Sequence, residues 1–316
     1  MLRLADHWVW DSWYARDDEG RHHAFFLRAS RALHDPERRH RRASIGHAVS
    51  TDLHTWELDA DALVAADAPA WDDLATWTGS VVRGPDRRWY LFYTGLTQAP
   101  DRHVQRIGVA VSDDLNVWRR HGDKPLVEPD PTWYADCDRS AWPGEAWRDP
   151  FVFPDPSGDG WHMLITAYAK DGPVDGRGVI GHAWSPDLLN WQVRPPLTEP
   201  AGFGHLEVPQ VAVVDGQPLL LFCSNYAERP LAHQIWVVPG PSLAGPWDMA
   251  LTRPVLVENL YAPRLVQDGA GRWNLMGFVE HHDDGGFAGE LSHPIPVCYT
   301  PEGGLDVVRP GVIARP

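Results

Sequence analysis

Ile45-Gly46-His47-Ala48-Val49-Ser50-Thr51-Asp52-Leu53-His54-Thr55-Trp56 is the stretch on which the fold turns, because the chain repeats it. It recurs as IGVAVSDDLNVW from Ile107 to Trp118 and as IGHAWSPDLLNW from Ile180 to Trp191. A degenerate fourth copy, IWVVPGPSLAGPW, runs from Ile235 to Trp247. The unit reads as an alternating strand ending at Ser, whose hydroxyl and the following Asp bond local backbone and turn the chain. Leu and Trp then supply apolar bulk to wedge against a neighbouring sheet. A period of roughly 55 to 75 residues is long for a helical solenoid and fits one four-stranded blade with its loops.

Between the copies lies a second recurring unit: a strand, a turn, and an aromatic strand. It covers 10–29, 78–95, 149–168, 207–225 and 262–279. Turn signals fall at the same place in each: Asp18-Glu19-Gly20, Gly84-Pro85-Asp86, Ser157-Gly158-Asp159-Gly160, Asp215-Gly216 and Asp268-Gly269. Five such units predict an all-β chain, a single five-bladed β-propeller of four-stranded antiparallel blades spanning residues 1–316. The 28 Gly and 29 Pro agree with many turns between short strands.

Composition narrows the function classes. A net charge of −15 excludes a nucleic-acid binder, which needs a basic face. The basic run Arg38-Arg39-His40-Arg41-Arg42 lies among Asp35 and Glu37 and reads as a solvated loop. Cys137, Cys223 and Cys298 make neither a disulfide framework nor a paired metal motif. No apolar h-region follows the N-terminus and no apolar run nears 18 residues, so a soluble cytoplasmic protein without membrane contact is expected. No cofactor and no metal are expected, and the oligomeric state is open. Gly176-Arg177-Gly178-Val179-Ile180-Gly181 matches a dinucleotide pattern but precedes a strand rather than a helix. His281-His282-Asp283-Asp284 reads as an exposed loop, since adjacent His side chains rarely share one ion.

In a propeller the innermost strands line the axis, so their starts converge at one end. Those starts carry Asp11, Thr78-Gly79-Ser80, Asp149, Glu207 and Ala262-Pro263. Buried like charges are costly unless used or paired. Three converging carboxylates, flanked by Trp8, Trp10, Trp13, Trp77, Trp142 and Trp147, suggest glycosidic bond cleavage. The aromatic walls offer faces for a sugar ring and, with an ionised neighbour, raise the pKa of the acid. The partner is then a small carbohydrate.

At these residues the sequence resembles a known group. Val9-Trp10-Asp11-Ser12-Trp13, Trp77-Thr78-Gly79-Ser80, Arg148-Asp149-Pro150 and Glu207-Val208-Pro209 occur in the order found in the levansucrase and β-fructofuranosidase families. These are glycoside hydrolase families 68 and 32, which share a five-bladed propeller with families 43 and 62. The resemblance implies Asp11 as the nucleophile of a fructosyl-enzyme intermediate, Asp149 as the group holding sugar hydroxyls, and Glu207 as general acid/base. It implies a fructosyl subsite shaped by Trp10, Trp77, Ser80 and Arg148, with Arg148 keeping Asp149 ionised. This is a retaining scheme with its carboxyls about 5–5.5 Å apart. Where family 68 usually carries an acidic residue and an Arg around the acid/base, this chain has His205 and Val208. His205, two residues before Glu207 on a strand, should face the same side and is a candidate for the leaving-group site. Hydrolysis is expected over transfer. Two alternatives stand beside this reading: an inverting arabinofuranosidase or xylosidase of the family 43 type, and a non-catalytic sugar-binding propeller.

Overall fold

The computed structural model describes all residues except 100–101, 136–144, 174, 225–233 and 309–316. Cys137 and Trp142 lie outside the described residues. Five antiparallel sheets form a ring, as the repeat predicts. The first comprises His7–Arg16, His22–Ser30, Ser44–Ser50 and Glu57–Leu58, and the second Ala75–Arg83, Trp89–Ala99, Arg102–Ser112 and Arg119–Arg120. The third comprises Trp147–Pro154, Trp161–Tyr168, Gly178–Ser185 and Gln192–Arg194. The fourth runs from Glu207–Val214 through Gln217–Ser224 and Gln234–Pro239 to Arg253–Val255. In the fifth, Leu260–Gln267 pairs with Trp273–His281, and the third position is split into Phe287–Leu291 and Ile295–Tyr299 before Leu305–Val307. That sheet is therefore five-stranded rather than four-stranded. Each innermost strand packs against those of both neighbouring blades, and blade 5 returns to blade 1. Leu2 closes the ring by pairing with Leu291 through two backbone hydrogen bonds.

The repeated motif does the same physical work three times. Ser50 Oγ accepts the amides of Asp52 and Leu53, while Asp52 Oδ1 accepts those of His54 and Thr55. The indole of Trp56 donates back to Leu53 O. Ser112, Asp114 and Trp118 repeat this, as do Ser185, Asp187 and Trp191. The turn forces Leu53, Leu115 and Leu188 to positive φ, a conformation these side chains rarely adopt, and each is fully buried. Trp118 then meets Phe25 of blade 1 edge-on, and Trp191 meets Phe92 of blade 2. Each motif thus wedges its own blade against the preceding one. Burial of one such side chain contributes roughly 1.5–3 kcal/mol. The degenerate copy keeps Trp247 buried between blades 3 and 4 but closes its turn differently, through Ser242 Oγ to Gly245 O.

Gly79 sits where an innermost strand meets its partner so closely that a Cβ would lie 1.9 Å from Phe92 O. Gly79→Ala is therefore expected to destabilise the protein by about 3 kcal/mol or more. Gly269→Ala, whose Cβ would meet nothing within 4 Å, should stay within about 0.5 kcal/mol. Denaturant midpoints of the two variants check the contrast.

Candidate active site

Every innermost strand carries a β-bulge at the same level. The register slips between Trp10 and Ser12, Trp77 and Gly79, Glu207 and Gln210, and Tyr261 and Arg264. In blade 3 it slips opposite Asp149-Pro150. The first bulged residues are Asp11, Thr78, Asp149, Val208 and Ala262. Four of them have positive φ: Asp11 at 32°, Asp149 at 58°, Val208 at 51° and Ala262 at 45°. Such conformations cost on the order of 1 kcal/mol each and persist only where packing over-determines them. Pro150, Pro209 and Pro263 follow directly, in positions that donate nothing to the ladder.

This alignment amends the sequence frame. Asp11 and Asp149 share a register, whereas Glu207 stands one residue earlier, at the level of Trp10, Trp77, Arg148 and Tyr261. The three carboxylates nevertheless meet. They line one cavity of about 370 Å³ at the axial end of the ring, together with Trp10, Trp77 and Arg148. The bulges make this possible, because each re-aims the side chains beside it.

Each carboxylate has its own surroundings. Asp11 accepts from the Thr78 hydroxyl. Burial, and then the charge of Asp149, push its carboxyl up to about 7. Asp149 Oδ2 accepts from Thr166 Oγ1 at 2.8 Å and from the Val208 amide at 3.2 Å. Its pKa is also raised, since burial outweighs Arg148. Glu207 accepts from Arg148 Nη2 at 2.6 Å and from the Tyr261 hydroxyl. Burial pushes Glu207 up, but Arg148, His205 and Tyr261 outweigh it and hold the carboxyl below its ordinary value. Arg148 therefore serves Glu207 first. Its Nε lies 3.6 Å from Asp149, where its charge favours the ionised form without outweighing burial.

Several expected residues do other work. Ser80 Oγ accepts the Val152 amide at 3.0 Å, tying blade 2 to blade 3, and does not line the cavity. His205 is buried behind Arg148 and bonded to Tyr168, also outside the lining. Among the described tryptophans, Trp8, Trp13 and Trp147 are buried in the core, while Trp10 and Trp77 line the cavity. The basic run is not simply solvated. Asp35 caps a short 3-10 helix, Pro36–Arg41, that brings Arg39 and His40 to the cavity. Arg39 is buried, its guanidinium 4.0 Å over Phe287, while Arg38, Arg41 and Arg42 stay exposed. The His40 carbonyl accepts the Trp77 indole at 2.7 Å.

Other residues were not legible as functional. Arg264, 2% exposed, donates to the carbonyls of Val208, Pro209 and Gly79 and so ties the bulges of blades 4 and 2 to its own strand under the site. Burial lowers its pKa to about 10 against the pull of Asp149 and Asp11. It directly follows Ala262-Pro263, a bulge read as merely apolar. Tyr261 and Thr166 were likewise not legible, and they bond Glu207 and Asp149 as Thr78 bonds Asp11. Gly176–Gly181 runs into strand Gly178–Ser185 and opens no helix, and residues 281–284 are exposed. Among the described residues no three His, Cys, Asp or Glu side chains cluster to hold a metal.

Fold and site together define a five-bladed propeller whose axial cavity gathers acidic side chains. The chain belongs to glycosyl hydrolase family 32, whose N-terminal domain matches residues 7–288. It is 31% identical over 196 residues to the insoluble β-fructofuranosidase isoenzyme CWINV6 of Arabidopsis thaliana, covering 60% of this chain and 32% of that protein. Levansucrase of Zymomonas mobilis is 26% identical over 262 residues, 70% of this chain and 60% of that one. The chain thus spans less than two thirds of the length of these curated relatives. Among solved structures, inulosucrase from Halalkalicoccus jeotgali bound to kestose superposes with a TM-score of 0.74 at 24% identity, covering 96% of this chain and 87% of that one. Bacillus subtilis levansucrase gives 0.72 at 16% identity, covering 97% and 87%. Both share the fold.

The raised carboxyl of Asp11 has a consequence for stability. A folded pKa of about 7 means that the native chain binds this proton more tightly than the unfolded chain, where the value is about 4. That contribution is complete below pH ~4 and is lost as pH rises through about 7. Asp11→Asn, uncharged throughout, should therefore melt above the wild type at pH 8, with the gap closing towards pH 4. Melting temperatures measured across that range decide it, and a pH-independent gap contradicts the assignment.

Proposed function

We propose that this chain is a retaining glycoside hydrolase acting on β-fructofuranosides, with hydrolysis favoured over fructosyl transfer. The observation that carries the reading is the convergence of Asp11, Asp149 and Glu207 on one cavity, with Arg148 between the last two. Family membership and relatives named β-fructofuranosidase and levansucrase support the fructosyl glycone. Neither an inverting pentosidase nor a non-catalytic module is favoured by that membership. The substrate is a small carbohydrate, and a cytoplasmic location belongs to the same proposal.

In this scheme the Asp11 carboxylate attacks the anomeric carbon while Glu207 gives a proton to the glycosidic oxygen. The bond from that carbon to oxygen breaks and the aglycone leaves as an alcohol. Water then gives its proton to Glu207 and its oxygen to the anomeric carbon, releasing Asp11. Asp149, held by Thr166 and the Val208 amide, accepts from glycone hydroxyls and faces the developing positive charge. Trp10 and Trp77 supply the apolar walls.

The surroundings place the more basic carboxyl at Asp11 and the more acidic at Glu207. Reaction needs the reverse, so substrate binding must move the shared proton: hydroxyls donated to Asp11 and Asp149 favour their ionised forms. The kcat/KM profile should accordingly be bell-shaped.

The test is turnover on sucrose, inulin- and levan-type oligomers, aryl fructofuranosides and aryl pentosides. Fructose release with retention, read by proton NMR of methanolysis products, is expected. Glu207→Gln should lose on the order of a thousandfold in kcat while still binding sugar. Inversion, or pentose release in place of fructose, overturns the reading.

A further inference from the structure

Arg148 Nη2 carries two hydrogens, and two acceptors lie within reach: Glu207 Oε1 at 2.6 Å and His205 Nδ1 at 3.0 Å. An arginine does not give up its proton, so His205 Nδ1 must accept. The imidazole proton then sits on Nε2, which lies 2.7 Å from the Tyr168 hydroxyl oxygen and donates to it. All three side chains are almost fully buried, at 4% exposure for Arg148, 6% for His205 and 1% for Tyr168. Tyr168 is braced in turn by the Arg177 guanidinium, 5.1 Å from its ring. On the other side, Arg148 Nη1 faces Gln105 Oε1 and the Glu145 carbonyl at 3.5 and 3.4 Å.

We propose that His205 is a positioning residue for the reaction: a neutral imidazole, locked as its Nε2–H tautomer, that aims the Arg148 guanidinium at Glu207 without neutralising it. The proposal rests on the fructosidase reading and replaces a leaving-group contact with a role exerted through Arg148. Its physical content lies in the charge of the acceptor. A carboxylate at position 205 would pair with Arg148 and compete with Glu207 for it. A neutral acceptor fixes the same direction and leaves the cation's field to Glu207 and Asp149.

The charged and titratable groups around His205 agree. Arg148 and Asp149 come from the innermost strand of blade 3, Tyr168 from the second strand of that blade, and Glu207 from the innermost strand of blade 4. Burial and Arg148 hold the imidazole at about 4, so it stays neutral through the working range. Protonation would set an N–H against an N–H and break the Arg148 contact.

The experiment compares His205→Ala, His205→Asn and His205→Glu with wild type on an aryl fructofuranoside, recording kcat and KM against pH. His205→Ala should lose on the order of tenfold in kcat with KM changed less than about twofold, since a small misaiming of a catalytic partner is costly. His205→Asn, whose Oδ1 can take the place of Nδ1, should recover most of that loss. His205→Glu should move the acid limb of kcat/KM up by about one pH unit, because the new carboxylate raises Glu207, the more acidic of the two carboxyls in the free protein, both by drawing off Arg148 and by repulsion. A loss confined to KM, an equal loss in Ala and Asn, or an unmoved limb in Glu overturns the proposal. Imidazole nitrogen NMR of the wild type gives a readout free of turnover, with Nδ1 unprotonated and Nε2 protonated at pH 6. The opposite tautomer overturns the proposal even where catalysis is intact. A wild type that releases no fructose sinks the fructosidase reading, and the imidazole spectrum then decides the tautomer by itself.

Discussion

One backbone irregularity, repeated around the ring, underlies the rest of the site. An ideal strand would run its ladder unbroken and alternate its side chains with a period of two. Here each innermost strand gains a residue at the same level, and four of the five bulges take positive φ at a non-glycine residue. The cost is local strain, the gain a change of side-chain direction at the axis. Arg264 makes the arrangement cooperative, joining the carbonyls of Val208, Pro209 and Gly79 from blade 5. Removing the strain at one bulge would therefore disturb its neighbours.

Electrostatics builds on that geometry. Three carboxyls share a small volume, and of the buried guanidiniums described around it Arg148 bonds one carboxyl, while Arg264 is spent on carbonyls and Arg39 on Pro36 and Glu37. Arg148 commits to Glu207 and stands farther from Asp149, while Arg264 lies beneath Asp11 and Asp149 without bonding either. The result is a divided cluster, with Glu207 held below its ordinary value and Asp11 and Asp149 raised above theirs. The separation comes from unequal access to one guanidinium, and it runs opposite to the order the proposed reaction needs, so bound substrate has to invert it.

The residues that the sequence made legible share a property: each belongs to a repeat. Asp11, Asp149 and Glu207 could be found because the units align, and Trp10, Trp77 and Arg148 because the motifs beside them carry the family resemblance. The family resemblance puts Ser80 in the fructosyl subsite and strand alternation puts His205 beside Glu207, yet their polar atoms are spent on Val152 and on Arg148 with Tyr168. Arg39 and His40 went the other way. A charge run reads as solvated, and only the short helix capped by Asp35 shows one arginine turned inward onto aromatic faces. Alternation cannot say which side of a bulge a residue occupies, so the single-residue offset of Glu207 was invisible too.

By itself, then, the amino-acid order determined the number of blades, the Ser-x-Asp-Leu turns that wedge them together, and the acidic character of the axial end. These follow from short-range rules: strand alternation, side-chain capping of local amides, and the placement of turn residues. What only the folded chain decided was partnership. Which carboxylate receives Arg148, that Arg264 clamps three strands, and that His205 stands behind the site all depend on groups 50 or more residues apart. Such contacts are set by the closing of the ring, which brings strand starts together at angles that no local pattern encodes.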